Sequence, residues 1–319
     1  VDNEAAAVAA LKTYKSGLYY KKGRSTAHEK AIHDLAKIAN SEYYNRLVTK
    51  PEFFSGELSD GKIFDFLSSD NDKRNQILNS NVNIPKFKVN DDVIRIQSGD
   101  ELQENLETNY DKSGLTNTIV LCRSNKRANI YNQQIRSRIR FLEEEISTSD
   151  LLMVVRNNYF WLGEKNSSEL IANGDIIEVL SVNKILNKYG FKFADITIKL
   201  VDFLEEKEID VIVMLDTINL ETPSLSYEDY QKLYQEISKD YKGDRKKIKE
   251  DKYLNALQVK FSYAITCHKS QGGQWENVFV DLGYFKNEML DVSYLRWLYT
   301  AITRATKKLY LINFKNDFF

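Results

Sequence analysis

Between Pro85 and Asp150 the apolar positions switch between two spacings, and the switch predicts alternating strands and helices. Val93-Ile94-Arg95-Ile96 reads as a short strand and Glu101–Tyr110 as a helix. Thr118-Ile119-Val120-Leu121-Cys122 is a continuous β-favouring run. Such a run suits a strand covered on both faces, as in a parallel sheet. Arg127–Glu145 follows as a long helix. From 151 to 220 the pattern changes. Leu152–Val155, Asp175–Val182, Ala194–Phe203 and Ile209–Leu215 alternate with a partial period of two, separated by Asn157-Asn158, Asn173-Gly174-Asp175 and Tyr189-Gly190. Strand after strand without a helix predicts a small antiparallel barrel inserted into an α/β frame. Residues 224–253 read as helical and dense in charge, a solvated face. The α/β pattern returns at Leu257. Gln258–Thr266 is a strand, Cys267–Gln274 a polar turn, Val278–Asp281 a strand, Ser293–Ala305 a helix and Leu309–Phe314 a last strand. The predicted plan is an α/β frame from 86–150 and 256–319, a β insert with charged helices over 151–255, and a helical region over 1–85.

Within that first region Glu4–Tyr14 and Thr26–Ala39 have helical spacing, and Gly23, Pro51, Gly56, Gly61 and Pro85 punctuate the rest. The basic cluster Lys21, Lys22 and Arg24 is read as solvated surface.

Composition narrows the classes. The 319 residues allow about two domains. A 42% hydrophobic content with 12% aromatics excludes a disordered chain. Lys+Arg 45 against Asp+Glu 46 leaves a net charge of −1, so nucleic acid cannot be held by bulk charge and needs a local patch. Cys122 and Cys267 both lie in apolar runs, which excludes a disulfide scaffold and a paired-cysteine zinc site. Two such thiols suit a reducing compartment, and no apolar run reaches the length of a membrane span. The chain opens Val1-Asp2-Asn3-Glu4, with no signal-peptide pattern and no initiator Met. It is expected to be soluble, cytoplasmic and a piece of something longer, with no metal site of its own.

Chemistry concentrates in two stretches. Tyr263–Glu276 (Tyr-Ala-Ile-Thr-Cys-His-Lys-Ser-Gln-Gly-Gly-Gln-Trp-Glu) carries Thr, His, Lys, Ser and Gln off the end of an apolar strand. Its paired glycines let backbone approach a ligand closely. By residue type this set suits phosphates and sugars, and it equally describes an ordinary polar turn. In Tyr294–Leu309, Leu295, Leu298 and Ile302 define a buried helix face with Thr300, Thr303 and Arg304 on another side. An arginine at such a helix end is ordinarily a salt-bridge partner.

Together the two stretches carry a resemblance. Tyr263–Trp275 resembles motif V of superfamily 1 helicases, in the Thr-x-His-Lys-Ser-Gln-Gly form of the RecD-like and Pif1-like branch. Tyr299–Ala305 resembles motif VI, Tyr-Thr-Ala-x-Thr-Arg-Ala, in the same order. Thr118–Asn132 is similar to the strand–loop–helix that opens the second motor domain. Ala172-Asn173-Gly174-Asp175 is similar to the start of an inserted SH3-like subdomain. The resemblance covers 86–319, is of the UvrD-like C-terminal type, and leaves 1–85 unassigned.

It implies an α/β RecA-like parallel-sheet motor domain with an inserted SH3-like β-barrel. Arg304 would be the catalytic arginine reaching the γ-phosphate of ATP on a neighbouring motor domain. Gly272 and Gln274 would meet the nucleotide; many relatives have Glu at 274, though an amide still hydrogen-bonds a ribose hydroxyl. Thr266, His268, Lys269 and Ser270 would face single-stranded DNA or the path coupling it to ATP. Arg123, Ser124 and Asn125 would touch the DNA backbone. Tyr159 or Trp161 of the insert would offer a stacking face, with Phe160 and Trp161 also read as barrel core.

The family's phosphate cradle is absent. No Gly-x-x-x-x-Gly-Lys-Ser/Thr occurs in the sequence; Gly56–Lys62 has the Gly-x-x-x-x-Gly-Lys spacing, but Ile63 stands where the hydroxyl that Mg²⁺ needs would be, and the match is set aside on that ground. No apolar strand ends in an Asp-Glu pair. ATP and Mg²⁺ are therefore expected mainly on a separate N-terminal motor domain of the same parent protein, with none bound to this chain alone. The expected partners are single-stranded DNA, that motor domain and a nuclease subunit, with no membrane, in DNA repair or recombination. The competing reading is a non-motor nucleic-acid-binding or scaffold module that keeps the fold without ATP turnover.

Overall fold

A computed structural model describes residues 84–162, 170–201, 208–286 and 289–319, all within the unit Asp72–Phe319. The calls on 1–83, the helical region and the Lys21–Arg24 cluster included, lie outside the described residues. In chain order the first elements are β1 (Val93–Ile96), α1 (Gly99–Ser113), β2 (Thr118–Cys122) and α2 (Asn125–Gln134). Next come β3 (Leu151–Val154), β4 (Ile176–Lys188), β5 (Phe191–Leu200) and β6 (Glu208–Met214). Two helices follow, α3 (Tyr227–Asp240) and α4 (Arg245–Lys249). The chain ends with β7 (Leu257–Phe261), β8 (Ala264–Thr266), β9 (Trp275–Asp281), α5 (Val292–Ile302) and β10 (Ala305–Ile312).

The run without polar alternation is β2, buried along its whole length. It lies between β9 and β8 in a five-stranded sheet of order β1-β10-β9-β2-β8, every pairing parallel. Side-chain caps start the helices that flank it. Ser98 accepts from the Glu101 amide ahead of α1, Ser124 from Arg127 ahead of α2, and Asp291 from Tyr294 ahead of α5. The second body is a closed barrel, β3-β4-β5-β6-β7. Its strands pair antiparallel except at the β6–β7 closure. Tyr189 and Gly190 both take positive φ (54° and 79°), the left-handed pair that a two-residue hairpin needs between β4 and β5. Leu233, Ile237 and Ile248 pack on Phe193, Ile212 and Met214 of the barrel wall. The charge-dense helices are thus solvated on one side only.

Two readings need correction. Gln258–Thr266 is not one strand of the sheet. β7 closes the barrel, pairing antiparallel with β3 and parallel with β6, and only β8 joins the sheet, against β2. The apolar run carries no break in period; the division comes from α2. The Asn132 side-chain amide donates to the carbonyls of Phe261 (3.1 Å) and Ala264 (2.9 Å), and its oxygen accepts from the Ala264 amide (2.7 Å). One buried side chain fixes the bend where the chain leaves the barrel for the sheet. Arg127–Glu145 is likewise not one helix. After Gln134 comes a single wide turn, Ile135–Ile139, and Phe141 takes φ 53°. One charge within that wide turn is drawn inward. Arg136, 3% exposed, binds the fully buried Asp150 through Nε (2.9 Å) and Nη2 (2.9 Å).

Asp150 also accepts from the Tyr263 hydroxyl (2.8 Å) and the Ser147 amide (2.7 Å). Arg140 donates to the same hydroxyl, and burial raises the Tyr263 pKa above the ordinary tyrosine range. This network ties the end of α2, the start of the barrel and the residue before β8 together. Removing one partner of a buried ion pair strands the other charge. Asp150→Ala should therefore lower stability by about 3–5 kcal/mol, whereas Tyr263→Phe should cost only about 1–2 kcal/mol. Urea unfolding checks both; equal and small losses would show that the network does not hold the two bodies.

Candidate functional site

The geometry begins with the pairing of β2 and β8. Thr266 stands opposite Cys122, so Arg123–Asn125 and Thr266–Ser270 leave the sheet side by side at its C-terminal edge, where open α/β sheets hold ligands. The Arg123 guanidinium is exposed over the rings of Tyr294 (4.8 Å) and Trp297 (5.4 Å). The Ser124 hydroxyl caps α2, accepting from the Arg127 amide (3.2 Å). The Asn125 amide donates to the Glu221 carbonyl (2.9 Å). His268 is exposed, and Thr266 and Lys269 are half-buried. Lys269 Nζ donates to Asn173 Oδ1 (2.5 Å) in the barrel turn, and burial lowers its pKa. Ser270 is fully buried and donates to the Cys267 carbonyl (2.7 Å). It shapes the turn from inside, and its hydroxyl does not face solvent where a strand would lie.

A lysine that sequence reasoning passed over joins this edge. Lys260 sits in β7, buried at 9% exposure, and donates to the Leu220 carbonyl. Burial, and then the charge of Lys269, push its pKa down to about 8. Asn125, Thr266, Lys260 and Lys269 line one crevice between barrel and sheet. The signal was a lysine alternating with the apolar Leu257, Val259 and Phe261, as Gln258 does, which looks like an outward-facing position until the strand is found in a barrel.

Residues 267–274 do not stay at that edge, as a simple turn would. Trp275, where β9 begins, pairs with Ala305 at the N-terminal edge. Strand rise from there to Asp281 is about 20 Å at ~3.3 Å per residue. The loop runs back beside α5. The Cys267 thiol donates to the Trp297 carbonyl (3.5 Å), and Gly273 accepts from Arg304 Nη1 (3.2 Å). The predicted nucleotide residues Arg304 and Gln274 therefore have their backbone where β10 and β9 begin, while the loop keeps them within reach of the predicted DNA residues: the Gly273 amide donates to the Ser270 carbonyl (3.0 Å), and the Cys267 thiol feels the Arg304 charge. Gly272 takes φ 85°, a backbone region that side chains disfavour.

Arg304 is the centre of that second group. Its guanidinium donates to the Thr300 carbonyl (3.0 Å), the Gly273 carbonyl and Thr303 Oγ1 (3.1 Å). Among the described residues no carboxylate contributes to its environment, and burial lowers its pKa. The salt-bridge reading of Arg304 therefore has no acid to support it. A guanidinium carries five N–H donors, and its three bonds among the described residues all go to neutral acceptors. An anion is the ligand this position suits.

Residues 261–312 match the model of the UvrD-like helicase C-terminal domain. The matched segment starts at the end of β7 and holds β8, the loop, β9, α5 and all of β10. An uncharacterized protein of Methanocaldococcus jannaschii is 42% identical over 64 residues, which is 20% of this chain and 5% of that one. Among solved structures, a Pif1 helicase from Candida albicans is similar at 14% identity and TM-score 0.36, over 69% of this chain and 54% of that one. A Bacteroides Pif1 helicase in complex with ADP-AlF3 and single-stranded DNA is similar at 12% identity and TM-score 0.34, over 70% of this chain and 47% of that one. The chain thus spans about half the length of these helicases and a small part of the archaeal protein.

Within the matched segment, Gly273 is the position where loop and Arg304 meet. A Cβ there would stand 2.4 Å from the Trp275 ring. Gly273→Ala should displace that indole and the carbonyl that Arg304 binds, costing about 1–3 kcal/mol as overpacking does. A shift in Trp275 emission together with a lowered melting temperature is the expected result, and an unchanged spectrum would show that the loop has room to spare.

Proposed function

We propose that the chain is the C-terminal part of an ATP-dependent DNA helicase. Its sheet is the second RecA-like motor domain, and its barrel is the SH3-like insert. One observation carries the reading: a single loop joins residues suited to a DNA backbone, at the C-terminal edge of the sheet, to an arginine that among the described residues bonds only neutral acceptors. Arg123, Asn125, Thr266, His268 and Lys269 contact the strand, with Ser124 and Ser270 shaping the backbone beneath it. Gly272, Gln274 and Arg304 face the nucleotide. A change at either end of residues 267–274 is passed to the other through Cys267 on α5 and Gly273 on Arg304.

ATP and Mg²⁺ belong mainly to the preceding motor domain of the parent protein, since this sequence has no phosphate-binding loop. When bound there, ATP supplies the phosphoryl group whose charge Arg304 would neutralise. The permanent charge and planar fork of a guanidinium suit that role better than an ammonium.

Two measurements test the reading. In titrations of labelled single-stranded DNA at several salt concentrations, binding should weaken as salt rises because phosphate contacts release counterions. Lys269→Ala should weaken it further and reduce the slope of log K on log salt by about 0.7, one phosphate's share for single strands. In the intact parent enzyme, Arg304→Ala should lower DNA-stimulated ATP turnover by about 10³- to 10⁵-fold, with Arg304→Lys also impaired. Near-normal turnover in both Arg304 variants would leave the non-motor binding module as the better description.

A further inference from the structure

A cavity of about 320 Å³ opens at the end of the barrel where β3 and β7 face α3 and α4. That volume is at the low end of small-molecule sites, about 300–1,000 Å³. Its walls combine two cations, Arg156 and Lys249, with three rings, Tyr159, Phe160 and Tyr230, and a set of side-chain amides. Among the described residues no Asp or Glu lines it. In a chain with 46 acidic residues against 45 basic ones, that local charge is set apart from the average.

The groups are held for use. The Arg156 guanidinium lies 5.0 Å over the Tyr230 ring, which directs it without neutralising it. The Tyr159 ring is 54% exposed at the rim. Behind it Phe160 meets Trp161 edge to face (4.9 Å), and the Trp161 indole N–H donates to the Asn255 carbonyl (2.8 Å). Phe160 is thus held by a ring that is itself anchored to the backbone. Cations for a phosphate, ring faces for stacking and amides for base edges suit one chemical class, a nucleotide.

Its position indicates where that nucleotide comes from. Asn157, on the cavity wall, accepts from the Asn173 amide through Oδ1 (2.7 Å), and Asn173 Oδ1 accepts from Lys269 Nζ (2.5 Å). One asparagine therefore separates the cavity from the lysine assigned to the DNA backbone. We propose that the cavity is a subsite for one nucleotide of the single strand, extending the track from Lys269 across the end of the barrel. The proposal rests on the single-strand reading of the sheet edge. α3 and α4, outside the segment matched to the helicase domain, supply Tyr230 and Lys249 and so complete the subsite.

The test uses the whole chain, labelled deoxythymidine oligomers of graded length and thymidine monophosphate as competitor, with Trp161 emission as the local signal. Tyr159 and Arg156 are exposed, so their variants should fold, and circular dichroism verifies it. Tyr159→Ala should weaken binding of long strands about 5- to 100-fold, the span of one lost base stack. Arg156→Ala should weaken it in the same direction. Strands too short to reach from Lys269 should bind both variants like wild type, while Lys269→Ala should weaken short and long strands alike. If Lys269→Ala binds weakly and both cavity variants bind long strands normally, the subsite is overturned and the sheet-edge reading stands. If the cavity variants alone bind weakly and Lys269→Ala binds normally, the sheet-edge reading fails and the track from Lys269 is overturned with it. Thymidine monophosphate changing Trp161 emission without displacing a long strand would show that the cavity takes a free nucleotide, and would overturn the assignment to the strand.

Discussion

Everything chemical in this chain depends on the bend at Ser262-Tyr263, where one apolar run leaves a barrel and enters a parallel sheet. Asn132 takes both flanking carbonyls and one amide of the bend, and Tyr263 reaches into the buried Arg136–Asp150 pair. Buried backbone groups need partners, and a change of sheet leaves several without ladder bonds. A single asparagine satisfies them, and the ion pair fixes the angle at which β8 starts. From that angle follow the place of Thr266 beside Cys122 and the course of the loop that comes next.

The loop then does two jobs with few residues. At its start, Lys269 spans to the barrel turn through Asn173. At its end, Gly273 offers its carbonyl to Arg304 while the adjoining Trp275 ring leaves no space for a side chain there. Between them the buried Ser270 hydroxyl and the Cys267 thiol hold the backbone to itself and to α5. Such packing suits transmission, because a closely packed segment shifts as a unit rather than absorbing a displacement.

Charge is distributed to match. The chain as a whole is near neutral, yet Lys260 and Lys269 share a crevice whose burial favours their uncharged forms. Arg304 is half-buried among neutral acceptors. Cations kept away from carboxylates in partly dry places are poised for an anion, since little competes with it for them.

The sequence by itself determined the elements and their chemistry. The uninterrupted Thr118–Cys122 run marked a strand covered on both faces. The strand series after 151 marked a barrel, and the stretches around Lys269 and Arg304 marked the helicase likeness, because each signal lies in neighbouring residues. What it left open were choices made by residues far apart. Gln258–Thr266 has no internal sign that it serves two sheets, since Asn132, more than a hundred positions earlier, makes the division. The long helix expected over Arg127–Glu145 stops early, at Gln134, and beyond it Arg136 turns to Asp150, a partner outside its local window. The meeting of Arg304 with Gly273, and the joining of Arg156 to Lys249 in one cavity, likewise had to await tertiary structure. A hydrophobic period records only whether a position is covered; which partner covers it is decided by packing and by the buried polar groups that must be satisfied.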